Sequence, residues 1–331
     1  MDWETLREIL RIYGPTGREE KISQALGRLV TPYADEVYND TLGNLIAVKR
    51  GVSGKKLMFS AHMDQVALIV VDIDKKGFLK LSTVGGINPV IAAAREVVFE
   101  NGVRGVTYFE NSAKHGVKDL TREELYADIG SESREEAEKL VSIGDMAVYV
   151  SNFVEMGNRI ASAALDDRLC CAALVQATRE MASPHDVYAV FTVQEEVGRG
   201  AGAAAYNIEP DLNVSLDVTA TGDIPECPPM SVELGRGPAL KIMDSSVIVA
   251  PRVREFIERA AAGAGIPLQR EILLCGGTDT GAIQRTRGGV LSGCISIGTR
   301  YIHTPVETAD KRDVENAVKL LLAIAASADL P

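Results

Sequence analysis

The sequence predicts an α/β protein interrupted by a small β-rich insertion, and three observations carry that expectation. Apolar residues recur at helical spacing near both ends of the chain, strand-like and helix-like stretches alternate after residue 158, and residues 66–157 show short apolar stretches separated by turn residues. The 331 residues suffice for about two domains of ~150 residues each. One is expected at 1–65 together with 158–331, the other at 66–157.

The elements follow in order. Trp3, Leu6, Ile9 and Leu10 form one helical face, Gly14-Pro15 breaks it, and Thr16 with Glu19 reads as a capping box opening a second helix with Ile22, Leu26 and Leu29 inward. Residues 44–48 and 56–60 read as two strands joined as a hairpin around Gly51 to Gly54, the second delivering His62 at its end. In the insertion, 67–73 and 78–81 flank the turn at Asp74 to Gly77, and 97–100 and 103–106 flank Asn101-Gly102, a strong hairpin signal. A short helix capped by Ser133 with Glu136 runs to about residue 141. Beyond the insertion the pattern gives a helix at 167–181, strands at 187–193 and 214–218, and a helix at 251–262 opened by Pro251. A buried strand at 290–297 and a closing helix lined by Val314, Val318, Leu321 and Leu322 complete it.

The net charge of −11, with no basic block, makes nucleic acid and anionic membrane surfaces poor partners. Hydrophobic residues at 46% and charged residues at 24% supply a sizeable core and argue against extensive disorder. Met1-Asp2-Trp3-Glu4 lacks the basic and apolar regions of an export signal, and the apolar run at 320–326 falls far short of the ~20 residues that span a bilayer. A cytoplasmic protein with no membrane partner is expected. Five cysteines without a Cys-x-x-Cys pair fit neither a disulfide framework nor a zinc ribbon, so reduced and mostly buried thiols are expected.

Candidate chemistry gathers at strand ends. In Ala61-His62-Met63-Asp64 strand alternation puts His62 and Asp64 on one face, where a carboxylate can accept the proton of the ring nitrogen that does not bind metal. Asp166-Asp167 precedes a largely apolar helix, Glu195-Glu196 follows an apolar strand, Asp217 ends another, and His303 lies just past a buried one. Singly, each admits a structural reading: a surface histidine near an acid, a helix cap, a solvated pair. Together they present His, Asp, Glu, Asp and His at strand ends or adjoining loops, and open α/β sheets bind ligands at the carboxyl ends of their strands. Two imidazoles and three carboxylates suit two divalent ions, with zinc, cobalt and manganese all compatible, and an acid left unliganded can act as general base on a metal-bound water.

These segments, in this order, resemble the tetrahedral-assembly or glutamyl aminopeptidases, metallopeptidase family forty-two, some of whose members carry cellulase-like labels. The likeness covers nearly the whole chain. It implies a mixed sheet sandwiched by helices as the catalytic domain, and a barrel-like insertion serving dimerisation and assembly. It assigns His62, Asp166 and Asp217 to one metal and Asp166, Glu196 and His303 to the other, with Asp166 bridging, Glu195 as general base and Asp64 orienting His62. Zinc or cobalt are the favoured ions. A cis peptide is implied at Asp166-Asp167. Gly276-Gly277-Thr278-Asp279 resembles the family's loop beside the substrate, where missing side chains let a peptide backbone approach.

The chain departs from the family at Gln65 and Val66-Ala67, where an acid and glycine are usual, in a loop one residue shorter before Arg199, and at Arg236, where lysine is common. None removes a proposed ligand, so substrate preference is the property left open. The resulting expectation is a dinuclear aminopeptidase trimming short peptides. Exposed strand edges in the insertion are expected to pair, giving dimers that build a homo-dodecamer. The alternatives are a related N-acyl amino acid deacylase using the same metals and a non-catalytic binding or shell protein of the same fold. A glycosidase would use paired carboxylates but has no need of two histidine ligands.

Overall fold

A computed structural model describes residues 1–110, 120–227 and 229–331; residues 111–119 of the insertion lie outside that description. The helices are α1 (Trp3–Leu10), α2 (Glu20–Val30), α3 (Pro89–Ala92), α4 (Arg134–Ala137), α5 (Leu165–Glu180), α6 (Ala201–Ile208), α7 (Pro251–Gly263), α8 (Asp279–Gln284) and α9 (Lys311–Ala325). The strands are β1 (Glu36–Asn39), β2 (Leu45–Lys49), β3 (Lys56–His62), β4 (Ala67–Ile73), β5 (Leu79–Val84), β6 (Glu96–Phe99), β7 (Arg104–Phe109), β8 (Leu125–Asp128) and β9 (Met146–Tyr149). They continue with β10 (Val154–Met156), β11 (Arg159–Ser162), β12 (Asp186–Thr192), β13 (Leu212–Thr219), β14 (Ala239–Met243), β15 (Gln269–Ile272), β16 (Leu291–Arg300) and β17 (Glu307–Asp310).

A mixed sheet runs in the order β1-β2-β12-β3-β13-β16-β17-β11-β10, with β14 and β15 branching from β16. Its centre is parallel: β12 pairs with β3, β3 with β13, and β13 with β16. Alternate residues of the central strands feed opposite faces. Leu57, Phe59, Val187, Ala189 and Phe191 join the core under α1, α2, α5 and α9, while Met58, Tyr188 and Val190 join Ala201, Ala205 and Ile283 of α6 and α8. Helices therefore cover both faces, which is why β12 reads as an unbroken apolar run.

That run overturns the expected hairpin between 44–48 and 56–60. β12 inserts between β2 and β3, antiparallel to the first and parallel to the second. The connecting loop is held to the start of β12 instead of closing on itself: Gly51 N donates to Asp186 Oδ1 (2.8 Å), and Val52 N and Ser53 N both donate to Pro184 O (2.8 Å). The Thr16 and Glu19 capping box is not formed either. Thr16 Oγ1 donates to Asp64 Oδ2 (2.9 Å), and Glu19 Oε1 accepts from Gly17 N (2.7 Å) and Gln194 N (3.1 Å), so α2 starts without a side-chain cap. Both residues are spent on long-range contacts.

The insertion closes into a barrel, β4-β5-β8-β7-β6-β9, around Leu68, Val70, Leu81, Phe99, Leu125 and Ala147. The Asn101-Gly102 hairpin is present, with Phe99 N donating to Val103 O (2.9 Å). α4 is capped by the Ser133 side chain as expected but ends at Ala137, not near residue 141. The expected exposed strand edges are also corrected, because closure pairs β4 with β9 and leaves the described barrel strands hydrogen-bonded to neighbours on both sides. No helix among the described residues is long and apolar enough to cross a membrane. Cys170, Cys171 and Cys294 are buried, Cys227 is half-buried and Cys275 exposed, all unpaired.

Candidate active site

The parallel centre of the sheet brings the scattered residues together. His62 is the last residue of β3, Glu195 and Glu196 follow β12, Asp217 lies near the end of β13, and His303 follows β16. Asp166 follows β11, which runs the same way as these strands, at the start of α5, and is joined to Asp167 by a cis peptide. The ligand-capable atoms of His62, Asp166 and Asp217 lie within 4.8 Å of one another, as do those of Asp166, Glu196 and His303, so the two groups share Asp166.

Each imidazole is oriented by a carbonyl that can only accept. His62 Nδ1 donates to Asp64 O (3.2 Å) and His303 Nδ1 to Gly86 O (2.9 Å), leaving both Nε2 atoms facing the carboxylates. His62 Nε2 lies 2.9 Å from Asp166 Oδ1 and 3.9 Å from Asp217 Oδ1, while His303 Nε2 lies 3.3 Å from Asp166 Oδ2 and 3.2 Å from Glu196 Oε2. Gly86 comes from the insertion, and a Cβ there would meet His303 Nδ1 at 2.9 Å, so only glycine lets the backbone come this close.

Asp64 does more than face His62. Its carboxylate is 3.5 Å from His62 Nδ1 and accepts from Glu195 N (3.0 Å), Glu196 N (3.3 Å) and the Thr16 hydroxyl. It therefore holds the turn carrying both glutamates. Glu195 Oε2 sits 4.0 Å from His62 Nε2 on the cavity wall.

The carboxyl groups crowd one another in a desolvated space. Burial raises the carboxyls of Glu195 and Asp217 well above the usual carboxylate range, and raises Glu196 as well. Burial works the same way on Asp166, but hydrogen bonds to His303 and His62 outweigh it and hold that carboxyl below its ordinary value. Burial would lower His303, yet Asp166 and Glu196 push it up to about 12. Glu196 Oε1 is buried without a hydrogen-bond partner among the described residues. Two overlapping triads of nitrogen and oxygen donors, one with a carboxylate oxygen unpartnered among the described residues, are donor sets that could each hold a divalent metal ion.

These residues line a cavity of 580 Å³, a size that admits a small peptide segment. Gly276, Gly277 and Thr278 form part of its wall; Asp279 does not, because it is buried with its carboxylate accepting from the Thr192 hydroxyl (2.5 Å).

Sequence reasoning missed Arg168, the residue after the aspartate pair. It is wholly buried, donating to Met63 O (2.8 Å), Ile9 O (2.7 Å), Ile12 O (3.1 Å) and Gly14 O (3.2 Å), and burial lowers its guanidinium to about 10. It ties the His62-Met63-Asp64 segment to the end of α1. Its acceptors are backbone carbonyls, which carry no side-chain signature. Arg168→Met should destabilise the protein by about 4 kcal/mol or more, since each buried carbonyl left unpaired costs about 1–3 kcal/mol and four lose this donor. An unchanged urea midpoint would reject that role.

A model of the M42 glutamyl aminopeptidase family matches residues 43–320. A protein of Acetivibrio thermocellus is 48% identical over 322 residues, 97% of each chain. The structure of an aminopeptidase from the archaeon Desulfurococcus kamchatkensis, 35% identical, superposes with a TM-score of 0.94 over 98% of this chain and 94% of that one. The Pyrococcus horikoshii TET1 peptidase, described as able to assemble into a tetrahedron or a large octahedral shell, is 32% identical, with a TM-score of 0.88 over 98% of this chain and 99% of that one.

Proposed function

The chain belongs to the M42 glutamyl aminopeptidase family, and on that footing we propose that it is a dinuclear metallo-aminopeptidase removing amino-terminal residues from short peptides. The observation that carries the reading is the pair of triads sharing Asp166, with Glu195 beside them on the cavity wall. His62, Asp166 and Asp217 would hold one ion and Asp166, Glu196 and His303 the other. Zinc or cobalt suit these donors. When bound, the ions would supply Lewis acidity, polarising the scissile carbonyl and acidifying a water molecule.

The remaining chemistry belongs to the chain. Glu195 accepts the proton of the attacking water and passes it to the leaving amine. Asp64 holds the Glu195-Glu196 turn and sits beside His62, so it acts by positioning. The Gly276-Gly277 wall leaves room for the substrate backbone, with Thr278 beside it. Asp279, clamped by Thr192, would support that wall from beneath.

We assign residues 1–65 with 158–331 to the catalytic unit and 66–157 to an inserted unit, from which β10 returns to the large sheet. The inserted unit is proposed to make the dimer contacts from which a dodecamer is built, as an assembly that encloses the active sites. Resemblance to the TET1 peptidase supports this, as does the barrel's outer wall. There Tyr126 packs edge-on against Phe78 (5.2 Å) and Tyr108 (6.4 Å), and Val106 and Tyr108 are 52% and 42% exposed. With its strands closed, the barrel would associate through side chains, not strand edges.

One substrate panel tests the reading. Short peptides with free amino termini should be cleaved, whereas N-acylated peptides and a folded protein with a free amino terminus should be spared. Preference for acylated substrates would favour the deacylase alternative. Light scattering that finds only monomer, or ready trimming of the folded protein, would reject the enclosing assembly and leave the metal chemistry standing.

A further inference from the structure

We propose that Glu307 is a positioning residue that sets the divalent-ion affinity of the site by fixing Asp166 relative to His303 through their backbone N–H groups. The inference rests on the metal-centre reading above and concerns a residue outside both triads. Glu307 opens β17 and is 2% exposed. Its Oε2 accepts from Asp166 N at 2.9 Å and its Oε1 from His303 N at 2.8 Å. One carboxylate thus grips two backbone amides that come from different parts of the chain.

Neither amide has a regular partner. Asp166 stands in the first turn of α5, where N–H groups have no intrahelical acceptor, and its own conformation is non-helical (φ −76°, ψ 107°). His303 is left-handed, with φ +63°, in the loop between β16 and β17. Without Glu307 the buried Asp166 N–H would lose its acceptor, as would the part-buried His303 N–H, and the direct tie between these two main-chain segments would be gone. Asp166 is common to both triads, so its backbone placement bears on both ions. Groups that orient ligands in this way typically change metal affinity by about 10–100-fold when altered.

Glutamine is the informative substitution. Glu307→Gln keeps size and shape but replaces one acceptor oxygen with an NH₂ group facing an N–H donor, so one grip turns repulsive. Co²⁺ titrated into chelator-stripped protein, followed by calorimetry and by ions retained per chain, should show affinity lowered by about 10–100-fold in Glu307→Gln. Glu307→Asp keeps the charge but is one methylene shorter, retains at most one bond, and should fall between wild type and Gln. It carries the same test if the Gln variant does not fold. A purely structural role would lower the melting temperature of the stripped protein and leave Co²⁺ affinity at the wild-type value, and that result overturns the inference alone. Wild-type protein that takes up no Co²⁺ would overturn the metal-centre reading with it.

Discussion

Stripping divalent ions with a chelator is expected to lower peptide cleavage by about 10²-fold or more, and adding back Zn²⁺ or Co²⁺ to restore it. The magnitude follows from the several kcal/mol that Lewis-acid stabilisation contributes, at tenfold in rate per 1.4 kcal/mol. The reason lies in the charge balance of the cavity. Asp217 is buried and the Glu195 and Glu196 side chains are largely covered, so without cations desolvation drives each toward its protonated form, while His62 and His303 hold Asp166 ionised. A site so arranged neither polarises a carbonyl nor acidifies water by itself. Cleavage assays before and after chelation, with bound ions counted in parallel, check this; full activity in metal-free protein would sink the mechanism.

Glu195→Gln should reduce turnover by about 10²–10⁴-fold while leaving metal content near wild type, because the amide keeps the shape of the side chain but cannot take a proton. Its neighbour should behave differently. Glu196 Oε2 is 3.2 Å from His303 Nε2 and its other oxygen is buried without a partner among the described residues, whereas Glu195 faces the cavity 4.0 Å from His62 Nε2. Glu196→Gln is therefore expected to lower metal occupancy first and activity as a consequence. Turnover measured at saturating metal, beside ions per chain, separates the two. If the phenotypes were exchanged, the division of labour within the pair would be wrong.

Much of this was legible along the chain because it depends on local periodicity and polarity. The amphipathic spacing of α1 and α9, the Asn101-Gly102 turn, Pro251 at a helix start, and His or acid residues closing apolar strands all follow from a few neighbouring residues. The order of the candidate ligands was readable for the same reason. Strand order was not: β12, apolar on both faces, enters between β2 and β3 because only the middle of the sheet buries both its sides, and local pattern favoured a hairpin there instead. Thr16 and Glu19 carry a capping signature, yet Asp64 and Gln194, brought close by the fold, compete for them and win. Arg168, Gly86 and Glu307 left no motif because each contact runs through a backbone group: Arg168 meets four carbonyls, Gly86 offers its own carbonyl to the His303 ring, and Glu307 holds two amides. The sequence by itself determined which side chains can carry metal and proton chemistry and on which local elements they ride. Tertiary structure alone decided how they are held, because the holding is done by hydrogen bonds to main-chain groups that every residue possesses and only the fold brings within reach.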